Sequence, residues 1–149
     1  MHKTTHRPST RDIEELARLA REARGEYGRG KTPKSEFRRL GFKILRALAA
    51  ELGLDENAYD LRFQPGGPAG SGESVLHADT VYVQFCQDTG YGLMFRGCRS
   101  RTDYTGKTNQ WWPYARLADW DGFVSAVRKA GASAPAAAPL PPLPVRYSL

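Results

Sequence analysis

Long apolar runs are missing from this sequence: nowhere do about 18 apolar residues follow one another, so no membrane-spanning helix is expected. The N-terminus, MHKTTHRPSTRD, lacks the apolar core of a secretory signal, and a cytoplasmic location is the expectation. Cysteine is scarce. Cys86 and Cys98 form no CxxC pair and have no histidine at ligand spacing, so both are read as free thiols and no metal site is expected. Nucleotide-binding signatures are missing too. The glycine-rich QPGGPAGSG stretch (64–72) contains no GxGxxG opening a helix and no GK[ST], and it reads as a connection between strands. No cofactor is expected.

What is present suffices for one core. The 149 residues carry 40% hydrophobic and 11% aromatic side chains, enough for a single domain and too many for a disordered chain. The net charge of +6 is unevenly spread. Residues 1–53 hold a net +6, residues 54–95 a net −5 and residues 96–107 a net +3. Two basic regions thus flank an acidic one, a pattern suited to a polyanionic partner and also common on solvated surfaces.

Residues 1–8 read as a flexible arm. Ser9 or Thr10 can cap a first helix of about four turns, with acids in its first turn and Ile13, Leu16, Ala17, Ala20, Ala23 and Tyr27 at helical spacing. Thr32-Pro33 opens a second helix with the apolar stripe Phe37, Leu40, Ile44, Leu45, Leu48 and Leu52, closed by Gly53. On its other face Arg39, Lys43 and Arg46 line up, either as a solvated row or as a polyanion contact.

The period then changes to two. Tyr59, Leu61 and Phe63 alternate with Asp60 and Arg62, a half-buried strand. Ser74–His77 and Thr80–Cys86 read as two strands joined at Ala78-Asp79. Val81, Val83 and Phe85 share one face, and Tyr82 and Gln84 the other. A turn at Gln87–Thr89, with Gly90 at positive φ, leads to a fourth strand in which Tyr91, Leu93 and Phe95 oppose Phe85, Val83 and Val81. Residues 99–114 show no periodicity. Asp119 can cap a last helix bearing Trp120, Phe123, Val124 and Val127. The expected fold is α+β: two N-terminal helices, a four-stranded antiparallel sheet and one C-terminal helix, packed on one sheet face. The domain is expected over 9–130, followed by a disordered Ala/Pro-rich tail over 131–149, whose single PxxPxR match is cheap in such a composition.

The loop after the fourth strand carries the chief candidate site. Arg96, Arg99, Arg101 and Lys107 alternate with Tyr104, Trp111 and Trp112, beside Thr102, Thr105, Thr108 and Asn109. Guanidinium groups pair phosphates, aromatic faces stack on bases, and amides add adaptable hydrogen bonds. The alternative is that the tryptophans close the core and the arginines are merely solvated. Catalysis has weaker support. His77 with Asp79 could make a base and its orienter, but a histidine at a strand end is ordinarily structural, and no catalytic residue is assigned.

Three segments, YDLRF, GSGESVLHADTVYVQF and MFRGCRSRTDYTGKTN, resemble small uncharacterised proteins of phages and other bacterial mobile elements, over roughly residues 58–112. The resemblance implies a bacterial, cytoplasmic accessory protein, and such proteins include inhibitors of host defence nucleases of anti-CRISPR or anti-restriction type. The sequence therefore points first to a non-enzymatic protein binding nucleic acid or a nucleoprotein complex. An inhibitor directed at a host defence protein stands second, and a small enzyme using His77 third.

Overall fold

The structure, a computed structural model, describes residues 6–22, 33–64, 72–87, 92–106 and 108–132. The distal arm, Ala23, Tyr27, the Thr32 cap, Gly90, Tyr91, Lys107 and residues 133–149 of the Ala/Pro-rich tail lie outside the described residues. Gly131 and Ala132, expected to begin that tail, are instead the end of the last helix.

Helix α1 covers Thr10–Arg21, and Ser9 caps it by accepting from the Asp12 N–H at 3.0 Å. At 12 residues it is shorter than the four turns expected. Helix α2 covers Pro33–Glu51. Its end is closed by bonds from Gly53 N–H to Ala50 and from Leu54 N–H to Ala49, with Gly53 at φ 77°. A 3₁₀ turn, Glu56–Ala58, leads into the sheet: β1 Tyr59–Gln64, β2 Glu73–Ala78, β3 Val81–Cys86, β4 Leu93–Gly97 and β5 Gln110–Trp112. A second 3₁₀ turn, Tyr114–Ala118, precedes helix α3, Trp120–Ala132. The Asp119 carboxylate accepts from the Gly122 N–H at 3.2 Å, which starts that helix.

The α+β class holds, with five strands in place of four, antiparallel in the order β1-β2-β3-β4-β5. The extra strand is three residues long, too short for alternation to show in sequence. It pairs Trp112 with Leu93 and Gln110 with Phe95. Two further details differ. The β2–β3 turn falls at Asp79–Thr80, one residue later than expected. On β4, Leu93 opposes Phe85 and Phe95 opposes Val83, a slip of two residues from the expected register. An even slip keeps every side chain on its face, so apolar alternation alone does not detect it. Gly92, at φ 90°, lies against β5, where a Cβ would come within 2.2 Å of the Trp112 carbonyl.

All the helices lie on one side of the sheet. Phe37, Leu40, Ile44 and Leu48 of α2 join Leu76, Val83, Phe85, Leu93 and Phe95 in one buried cluster, with Leu61 packed at its margin. Helix α2 approaches the sheet closely at Gly41, where an added Cβ would lie 3.0 Å from Ser74 Oγ on β2. Helix α3 covers the other half, with Phe123 edge-on to Phe95 at 5.7 Å between ring centroids. Trp112 and Trp120 are buried here, so these indoles close the core and only Trp111 is left outside.

Candidate binding face

Among the described residues no helix covers the second face of the sheet. Register places Asp60, His77, Tyr82 and Arg96 in one cross-strand row and Arg62, Val75, Gln84, Met94 and Trp111 in the next. What covers it is the loop after β4. Val75, Tyr82, Met94 and Cys98 form a small apolar cluster beneath that loop, separate from the main core.

Arg96 is the post on which the loop rests. It is buried, lies 4.2 Å over the Tyr82 ring, donates to the Tyr104 carbonyl at 2.6 Å and to Asn109 Oδ1 at 3.2 Å. A guanidinium so enclosed is not available to a phosphate in this arrangement. Asp103 knots the loop, accepting from the N–H groups of Arg99, Thr105 and Gly106 and from the Thr105 hydroxyl. Its partial burial would raise the carboxyl's pKa, but these donors outweigh that and hold it well below the usual carboxylate range.

His77 is fully buried below the loop. Its Nε2 lies 3.0 Å from the Ser100 carbonyl, which can only accept, so Nε2 carries the proton. Nδ1 then accepts from the Arg62 guanidinium at 3.1 Å. Burial first and the Arg62 charge second lower the imidazole's pKa, favouring the neutral ring. Both ring nitrogens are therefore engaged, Nε2 by the loop and Nδ1 by β1. The two thiols are buried as well, and burial pushes Cys98 up to about 11.

The remaining predicted residues divide in two. Arg99 pairs with Asp103 at 3.6 Å. Arg101 pairs with Asp79 at 3.3 Å and Asp60 at 3.5 Å, and also donates to the Asn57 carbonyl. Both guanidiniums are thus partly neutralised by acids from the turn, strand or loop beside them. Tyr104 and Trp111, by contrast, are 58% and 42% exposed, and are the large hydrophobic side chains the described surface presents. Tyr104 is braced edge-on by His77 at 5.3 Å and by the Arg62 guanidinium, 5.6 Å from its ring centroid. The helix row is elsewhere: Arg39, Lys43 and Arg46 are exposed on α2, across the sheet from the loop. Arg39 pairs with Glu36, Lys43 with Asp12 at 2.9 Å, and Arg46 lies over the Phe42 ring.

Sequence reasoning missed Arg62, Gln84 and Met94 as floor of this face. The alternation that put Tyr82 and Gln84 opposite the core was the available signal. Among the described residues no three His, Cys, Asp or Glu side chains come together as metal ligands, and no helix is long and apolar enough to cross a membrane. No family model, curated protein or solved structure matches the chain.

Proposed function

We propose that this is a non-enzymatic binding protein whose helix-free sheet face takes single-stranded nucleic acid, free or within a nucleoprotein complex. The observation that carries this reading is the joint exposure of Tyr104 and Trp111 on that one face. Every base has a face that stacks on an aromatic ring, and guanidinium groups beside the ring add attraction for the backbone. Tyr104 sits over β2 and Trp111 on β5, three strand spacings or about 14 Å away, so a short extended strand would bridge them. Between them Gln84 is half-buried and offers a polar side chain, and Met94 beneath belongs to the buried apolar cluster. A bacterial mobile-element accessory protein acting in the cytoplasm remains the cellular setting we favour.

The test is a titration of fluorescent single-stranded homopolymers at low salt. Tyr104→Ala and Trp111→Ala are each expected to weaken binding by about 1–3 kcal/mol, the usual worth of one stacked base. Undetectable binding of the unaltered protein at low salt would reject the proposal.

A second reading, an inhibitor directed at a host defence nuclease, is favoured by the acids paired with Arg99 and Arg101. A face of mixed charge with exposed Tyr and Trp also has the make-up of a protein hot spot. Capture of a nuclease-resistant partner, lost with Trp111→Ala and unaccompanied by oligonucleotide binding, would decide for it.

A further inference from the structure

Strand β1 forms one edge of the sheet, six residues long, and among the described residues nothing pairs with its outer side. An edge of that length presents a row of unpaired N–H and C=O groups, which is a template for another strand. The core is also unfinished along this margin. Tyr59, Leu61 and Phe63 on β1, Leu54 before it and Phe42 on α2 pack against the core but are only partly buried.

The side chains of β1 are complementary to themselves. In an antiparallel pair of two β1 strands centred on Leu61, Leu61 opposes its own copy and Tyr59 opposes Phe63. Asp60 then opposes Arg62, twice by symmetry. Opposite charges directly across a pair stabilise it, and like charges destabilise it. The neighbouring registers that keep the two faces in phase put either Asp60 or Arg62 against its own copy. Charge therefore selects the Leu61-centred register.

Space permits the pairing. Helix α2 is seated over β2, where Gly41 meets Ser74, and reaches β1 through Arg38, whose guanidinium lies over the Phe63 ring. Across a β1–β1 seam the two β2 strands would be three spacings, about 14 Å, apart. Packed helices need only about 8–10 Å between axes, so the α2 helices would not collide and Phe42 would fill the gap from both sides. The guanidinium of Arg46 lies over the Phe42 ring and that of Arg38 over Phe63, so the charges on this margin are carried on aromatic surface.

We infer that two copies of this chain pair through β1, antiparallel about Leu61, joining their sheets into one. The contact is isologous, so it closes as a dimer and leaves β5 as the outer edge of each half. It uses Asp60 and Arg62 of the loop-covered face but no atom of Tyr104 or Trp111, and holds whether or not those two rings bind nucleic acid.

The experiment combines mass measurement and crosslinking. Light scattering of the unaltered chain is expected to give twice its 16.6 kDa. In Leu61→Cys the two thiols would sit on the symmetry axis, with Cα atoms about 4.5–5.5 Å apart, inside disulfide range. Mild oxidation is expected to link nearly all of it, reversibly on reduction. Asp60→Cys would face Arg62 of the other copy rather than itself, and is expected to link at least tenfold more slowly. The native thiols are buried and stay out of the exchange. A monomeric mass at every concentration would overturn the inference. So would a dimer that Leu61→Cys does not link, or one that Asp60→Cys links as readily, which would mean another surface or another register.

Discussion

Arg96 and Tyr82 face each other across the β3–β4 pair, and the guanidinium carbon stands 4.2 Å from the ring centroid. This contact turns a basic residue of the central loop into a part of the fold. The ring and the strands remove the guanidinium from water, and the Tyr104 carbonyl and Asn109 Oδ1 accept hydrogen bonds from its two Nη groups. Arg96 thereby decides where Tyr104 is presented.

Replacing Arg96 by Met keeps much of the apolar stem and removes the donors. Stability is expected to fall by about 3 kcal/mol, the upper range for a hydrogen bond to a charged group. Amide exchange over 98–106 is expected to quicken, which deuterium uptake measures. A stability loss with unchanged exchange there would show that the loop is held without Arg96.

His77 gives the fold a defined response to acid. Its pKa is lowered by burial and by Arg62, so below the ordinary value of 6.5 the unfolded chain takes up a proton that the folded ring resists. Stability from this group is complete above about pH 7 and is lost as pH falls through the unfolded pKa towards the folded one. Urea midpoints between about pH 7 and pH 5 are expected to drop in the unaltered protein and to drop less in His77→Gln. Parallel curves would remove His77 as the cause.

Leu48 is fully buried on α2, within the cluster that joins helix and sheet. Leu48→Ala is expected to cost about 2–5 kcal/mol in denaturant unfolding, the range for a leucine truncated in a packed core. A loss below about half a kcal/mol would mean that the cavity collapses or that this face is not the core in solution.

The core was largely legible in the sequence because its signal is periodic. The helical stripe of α2 and the alternation through β1, β3 and β4 each identify a buried face before any contact is known. What periodicity does not carry was misread. β5 is too short to alternate, and the β3–β4 register slipped by an even step that preserves the faces. The candidate site was legible in composition but not in roles. Arg96, Arg99 and Arg101 look alike in a linear string, yet the first sits among aromatics and the others beside acids brought from β1 and the β2–β3 turn or from within the loop. Those pairings span up to 41 residues of sequence, and no local pattern announces them.

The same pairings set the expected salt dependence. Each phosphate neutralised by a free cation releases condensed counterions, and removal of one such contact lowers the salt slope by nearly one unit. If Arg99 and Arg101 were free cations aimed at phosphate, replacing both by Ala would flatten the slope by about two units. They stand instead against Asp103, Asp79 and Asp60, which a phosphate would have to displace. The double replacement is therefore expected to flatten the slope by clearly less than two units, about one or below. Tyr104→Ala is expected to leave the slope unchanged while weakening binding, because stacking releases no counterion. Binding curves on one oligonucleotide at several salt concentrations measure both. A full two-unit loss for Arg99 and Arg101 would show that the loop opens its ion pairs to reach the backbone, and that the acids beside them act as a latch. Removing that latch with Asp60→Asn would then be expected to tighten binding, where in the paired arrangement it would only loosen the loop.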